Sequence, residues 1–224
     1  MTFSIVARCS RTGMFGVAIS SSSPAVAARC SYAQAGVGAV ASQNVTDPSL
    51  GPRALELLAR GATAAEAIAI VMGTAAHGEY RQLLAVDASG LSAIYSGSKA
   101  LGIWAEAREQ NVACGGNLLA NDKVPGAMVD SFLASRGDLG DRLITAMRAA
   151  IKAGGEAGPV RSSGMKLVRD VSWPVADLRC DWTEDCPIEQ LAHLWEIYKP
   201  QLESYVTRAV NPSDAPSFGV SGDQ

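Results

Sequence analysis

Apolar and polar positions alternate or run together in short blocks, and turn residues separate the blocks. Residues 2–7 are apolar and partly β-branched, residues 10–13 (Ser-Arg-Thr-Gly) supply turn chemistry, and residues 16–20 resume the apolar run. This pattern predicts an opening β-hairpin. A third strand is expected over 36–43, where glycines would let another backbone approach closely. The period then changes. Leu55, Leu57 and Leu58 predict a helix over 53–60 that ends at Gly61. Thr63, with Glu66 three residues on, is the signature of a capping box opening a second helix over 64–72, with Ile68, Val71 and Met72 as its apolar stripe.

Strands over 82–87 and 91–95 flank Ala88-Ser89-Gly90, a second hairpin signature. A short strand is expected to end at 112–114, followed by a loop Gly115-Gly116-Asn117. Helices over 123–134 and 139–153 follow, then strands over 165–168 and 174–179. The last apolar stripe (Ile188, Leu191, Leu194, Trp195, Tyr198, Leu202, Tyr205, Val206) has helical spacing and should break at Pro200. Strands and helices thus come in groups, which predicts an α+β layered domain over 1–210 with a mobile tail over 211–224.

The 224 residues suffice for one core without metals or disulfides, and 48% hydrophobic with 18% charged residues excludes a disordered chain. A net charge of −3 with no basic run argues against a nucleic-acid partner, and the absence of a long apolar stretch argues against a membrane span. The N-terminus does not read as a secretory signal. The five widely spaced cysteines (Cys9, Cys30, Cys114, Cys180, Cys186) read as reduced thiols, so a cytoplasmic location is expected. No metal-ligand spacing or cofactor-binding motif is evident, and no cofactor is expected. The exposed-looking stripe Trp195, Tyr198, Leu202 and Tyr205 suggests a homodimer or larger homo-oligomer.

Three weak chemical signals stand out. Thr2 follows a methionine of the kind removed when the next side chain is small, and removal would place a free α-amine beside the threonine hydroxyl. Such amines titrate near ~7.7–8.0, which suits a general base at neutral pH. The plainer reading is a residue that begins a strand. Gly116-Asn117 could aim a backbone N–H and an amide at one oxyanion, or could form a turn. Arg81 could bind a substrate carboxylate, or could be a solvated strand end.

In order along the chain, several segments resemble a known family. These are Thr2-Phe3-Ser4-Ile5-Val6-Ala7-Arg8, residues 35–43, Gly51-Pro52-Arg53, Tyr80-Arg81-Gln82, residues 86–90, Gly97, Trp104-Ala105, Gly116-Asn117-Leu118-Leu119, Ala127-Met128, Phe132, Asp177-Leu178-Arg179, Asp181 and Pro187-Ile188. Together they are similar to an uncharacterised Ntn-hydrolase-like family catalogued as domain of unknown function 1028. The resemblance implies a four-layer αββα sandwich. It also implies an N-terminal-nucleophile amidohydrolase in which Thr2 attacks a small amide, anionic if Arg81 binds it. Asn117 would hold the oxyanion, and Gly116, Gln43, Ser21 and Arg81 would contact the substrate.

The chain departs from the family pattern in four places. Glu106-Ala107 stands where Gly-His is common, Gly115 where glutamine is, Ser20-Ser21-Ser22-Ser23 where a basic residue often follows the second strand, and Trp182-Thr183 in place of an Asp-His pair. These losses of polar groups leave open a catalytically inactive small-ligand-binding domain on the same fold, or a purely structural partner in an oligomer.

Overall fold

The computed structural model describes residues 1–220. Among the described residues ten strands form two antiparallel sheets, with strand orders β10-β9-β2-β1-β8-β7 and β3-β4-β5-β6. The larger contains β1 (Thr2–Arg8), β2 (Phe15–Ser21), β7 (Ala105–Glu109), β8 (Val112–Asn117), β9 (Ser162–Val168) and β10 (Ala176–Cys180). The smaller contains β3 (Ser31–Gln34), β4 (Gly38–Gln43), β5 (Gln82–Asp87) and β6 (Ser92–Ser96). Helices α2 (Leu50–Ala59) and α3 (Ala64–Thr74) cover the outer face of the smaller sheet. Helices α4 (Val124–Ala134), α5 (Leu139–Lys152) and α6 (Pro187–Tyr198) cover that of the larger. The result is the expected αββα sandwich.

Strand alternation builds these layers. In β1, Phe3, Ile5 and Ala7 enter the apolar cluster beneath α4 and α5 with Phe132, Leu143 and Met147. Val6 points the other way, into the layer between the sheets with Val17, Ala39, Ala41 and Leu84. The same alternation turns Ser4 toward the other sheet, where its hydroxyl donates to Gln43 Oε1 at 2.7 Å. The inter-sheet space is therefore apolar in its middle and polar toward the end where β1 begins.

The capping box forms as the sequence predicts. Glu66 N–H donates to Thr63 Oγ1 at 3.3 Å, and Thr63 N–H to the Glu66 carboxylate at 2.8 Å.

Several expectations need correction. Gly115, Gly116 and Asn117 lie inside β8, because they continue its pairing with β1; no loop occurs there. The strand expected over 36–43 starts at Gly38, since Gly36 has φ +70 and turns the chain. Two elements in the 24–35 stretch were not anticipated: the five-residue helix α1 (Val26–Cys30) and strand β3. Strand β7 was also missed, and only alternate positions in it are buried even in part.

The last helical stripe folds back on its own core. Trp195 is 4% exposed and donates to Asp141 Oδ1 at 2.7 Å, Leu202 is 6% exposed, and the Tyr198 hydroxyl donates to Val175 O at 2.9 Å. Three of the four stripe residues thus pack within the chain, while Tyr205 stays 38% exposed and stacks on Tyr198 with ring centroids 5.5 Å apart. The segment breaks around Pro200 as expected, with a 3-10 turn (Lys199–Gln201) leading into α7 (Leu202–Val210). In the predicted tail, Pro212–Asp214 form a 3-10 turn and Phe218 lies 3.6 Å under the Arg208 guanidinium; residues 221–224 fall outside the described residues. Among the described residues no helix is long and apolar enough to cross a membrane.

Candidate functional site

Thr2 and Asn117 are direct cross-strand partners at the end of the β1–β8 pair. Such partners hold their Cβ atoms about 4.5–5.5 Å apart on one face of the sheet. Both are buried, and both line a cleft of about 250 Å³ with Met1, Arg29, Asn44, Val45 and Leu101. Thr2 Oγ1 lies 3.4 Å from Ser21 Oγ and also contacts the Met1 carbonyl oxygen, which accepts from Ser21 Oγ at 2.5 Å. Two hydroxyls thus converge on one carbonyl oxygen beside an amide side chain.

Wider depressions exist elsewhere. One of about 550 Å³ lies at the opposite end of the strands, between Ala33 and Trp173, but its charged residues Arg169 and Asp170 pair with each other at 2.9 Å. The smaller cleft gathers the nucleophile-capable groups, and chemistry outweighs volume here.

The cleft wall carries unusual backbone. Asn44 and Val45 are consecutive residues with φ +59 and +47, and Leu118, directly after Asn117, has φ +51. A β-branched residue in the left-handed region is costly, and such strain persists where surrounding contacts over-determine it. Those contacts are present. Asn44 Nδ2 donates to Tyr80 O at 2.8 Å, Asn44 Oδ1 accepts from Leu101 N–H at 3.3 Å, and the Arg81 guanidinium binds the Val45 carbonyl oxygen.

Beneath the cleft, polar side chains fill the end of the inter-sheet layer. Ser4 donates to Gln43, Gln43 Nε2 to Gln82 Oε1 at 2.7 Å, and Asn117 Nδ2 to the same oxygen at 3.3 Å. Gln82 Nε2 continues to Ser96 Oγ at 2.9 Å, and Ser96 to the Glu106 carboxylate at 3.0 Å. Gln43 and Gln82 also donate to the Gly115 and Gly116 carbonyls at 3.2 and 3.3 Å. A buried polar chain of this kind is stable only because each member finds partners, and it fixes the Asn117 amide in one orientation.

The residues expected from sequence are thus placed unequally. Thr2 and Asn117 share the cleft, and Ser21 touches Thr2. Gly116 supports the cleft floor through its carbonyl. Gln43 is fully buried in the network below, one layer from the cleft. Arg81 is not on the cleft wall; its guanidinium holds Val45.

Three residues had been overlooked. Arg29, on α1, lines the cleft, forms no ion pair among the described residues, and donates to the Pro24 and Ala25 carbonyls. Gln82 holds Asn117. Glu156 is 5% exposed and accepts from Ser22 N–H at 3.1 Å; burial pushes its carboxyl up to about 7, against the opposing pull of the chain's own amino group and the Ser22 hydrogen bonds. No spacing pattern points to Glu156, because Leu119 bridges to it from across the fold. The departures at Glu106 and Gly115 also gain a structural account: Glu106 ends the polar chain, and Gly115 leaves room for Leu84 and Gln82, which lie 3.3 and 3.6 Å from where its Cβ would be. The five cysteines are all unpaired.

Comparison with known proteins gives one strong likeness. The model for the family of unknown function DUF1028 matches residues 2–191. The crystal structure of a Silicibacter pomeroyi protein of that family is 30% identical, with a TM-score of 0.82 over 88% of this chain and 89% of that one. The ancestral β-subunit Anbu of Yersinia bercovieri is 13% identical with a TM-score of 0.40, covering 91% of this chain and 97% of that one. A Gly-1 mutant of Anbu from a Hyphomicrobium strain is 10% identical with a TM-score of 0.44, covering 98% and 100%. Both Anbu scores are too low to carry an argument. No curated protein matches the sequence.

Proposed function

The chain belongs to the family of unknown function DUF1028, which brings no assigned reaction with it, and we propose from the site itself that the protein is an amide hydrolase whose nucleophile is Thr2 after excision of Met1. The observation that carries this reading is the pairing of Thr2 with Asn117 at the mouth of one cleft, with a second hydroxyl from Ser21 on the same carbonyl oxygen.

In the proposed reaction the Thr2 hydroxyl attacks the substrate carbonyl carbon while the freed α-amine takes its proton. Asn117 Nδ2 has one hydrogen on Gln82 and a second for the developing oxyanion. The C–N bond breaks, the leaving amine takes the proton from the α-amine, and water then hydrolyses the ester by the same route. Arg29 supplies the cleft's positive charge and would hold an anionic group of the substrate, the role first expected of Arg81.

The test begins with protein whose intact mass shows Met1 to be absent, screened against small amides and N-acyl amino acids. Thr2→Ala should abolish turnover and Thr2→Ser should keep part of it, since hydroxyl and amine both remain. Asn117→Ala should lower kcat by about 10²–10³, the usual loss for one oxyanion donor. Mature protein that turns over no amide yet binds a small ligand would replace this reading with a non-catalytic binding domain.

A further inference from the structure

Val45 and Leu101 both line the cleft, yet they are 53% and 43% exposed. Val45 also sits at φ +47, a conformation that costs a β-branched residue energy. Three contacts hold the segment there. The Arg81 guanidinium binds the Val45 carbonyl oxygen, Asn44 Nδ2 donates to Tyr80 O, and Asn44 Oδ1 accepts from Leu101 N–H. One short stretch of strained backbone thus ties two apolar side chains into a single wall. A side chain this exposed adds little to the core, so the strain that presents it points to a role at the cleft.

Arg29 is the one charged side chain among the described residues that line the same cleft. Its Nη1 donates to the Pro24 and Ala25 carbonyls at 2.5 and 3.1 Å, which fixes the guanidinium. Among the described residues its Nε and Nη2 hydrogens have no hydrogen-bond partner, and it forms no ion pair. Nε–H and Nη2–H together are the fork that pairs bidentately with a carboxylate.

An α-amino acid carries a carboxylate, a side chain and a nitrogen on one carbon, so a cation, an apolar wall and a nucleophile around one cleft can meet all three. We propose that the substrates are N-acyl α-amino acids with an apolar side chain. Arg29 takes the free carboxylate, Val45 and Leu101 take the side chain, and the acyl carbonyl meets Thr2. This rests on the reading of Thr2 as the nucleophile. Hydrolysis adds one water across the C–N bond and gives a carboxylic acid and the free amino acid. The cleft of about 250 Å³ falls just below the ~300–1,000 Å³ of sites for drug-sized ligands, which suits one acylated amino acid better than a long peptide. Arg81 is then a positioning residue, acting through its hold on Val45.

The test uses Thr2→Ala protein whose intact mass shows Met1 to be absent, so that ligands bind without turnover. It is titrated calorimetrically with N-acetyl-L-leucine, N-acetyl-L-leucinamide and N-acetylglycine. N-acetyl-L-leucine should bind at least about tenfold more tightly than each of the others, a difference of about 1.4 kcal/mol. Adding Arg29→Gln should remove the preference over the leucinamide and spare that over N-acetylglycine, and Arg29→Lys should restore part of what is lost. Adding Val45→Gly should cut the preference over N-acetylglycine and spare the other. That variant should stay folded, because glycine adopts positive φ without strain, and thermal unfolding checks each protein. Failure of either preference, binding of none of the three ligands, or a preference that survives its substitution overturns the proposal. The two readings fail separately. Protein that binds N-acetyl-L-leucine through Arg29 and Val45 but, with Thr2 intact, hydrolyses no amide loses the hydrolase reading alone. Protein that hydrolyses amides without regard to carboxylate or side chain loses this substrate class alone.

Discussion

Glu156 shows how the burial of one carboxyl makes stability depend on pH. Its carboxyl titrates near 7 in the fold against an ordinary 4.5, because burial penalises the charged form more than Ser22 and the chain's amine relieve it. The folded state therefore holds the proton more tightly than the unfolded state does. The stability this gives is fully present below pH 4.5 and is lost as pH rises through 7. Glu156→Gln removes the titration. Wild type should thus lose stability relative to the variant between about pH 4.5 and 7.5, by on the order of 3 kcal/mol in all. Denaturant titrations of both proteins at several pH values measure this; parallel stability profiles would show that Glu156 is not held neutral by its surroundings.

At the scale of elements, local rules and long-range packing divide the work. Helix α3 is specified locally, since Thr63 and Glu66 exchange hydrogen bonds across its first turn. Thr63→Ala should cost about 1 kcal/mol of unfolding free energy, the usual worth of an N-cap, with no effect on ligand binding because α3 lies on the outer face of the smaller sheet. Helix α1 has no such local signal. It starts from Ala25 at φ +50 without a side-chain cap, and it packs close to β9 where Gly164 has no Cβ: one there would come 2.4 Å from the Ala27 methyl. Its five residues bring Arg29 to the cleft, so the positive charge there depends on a helix that only tertiary contacts define.

For the whole molecule, the C-terminal helices decide how the larger sheet is covered. Trp195 lies against Gly140 of α5, where a Cβ would come within 2.5 Å of its ring, and donates to Asp141. Trp195→Ala should lower stability by about 3–5 kcal/mol, as large-to-small changes of buried aromatics do. Light scattering on the folded fraction should show no change in mass, because the side chain packs within its own chain. A variant that stays as stable but changes its association state would return this helix to the role of an interface.

Period-2 runs, period-3.6 stripes and their grouping already pointed to an α+β layered domain, because each element had one apolar face to bury, while the four-layer αββα order was an expectation from the family resemblance. The sequence also marked Thr2 and Asn117, since an N-terminal threonine and a Gly-Asn pair are local features. Tertiary structure alone decided that these two residues face each other, because a strand register is set by pairing between segments over a hundred residues apart. It likewise set the Arg81 guanidinium on the Val45 carbonyl, put Gln82 against the Asn117 amide, and brought Arg29 into the cleft. No sequence period or spacing could show those placements: burial, a shared hydrogen-bond partner and a charge left without an ion pair are properties of a folded neighbourhood, not of the chain that enters it.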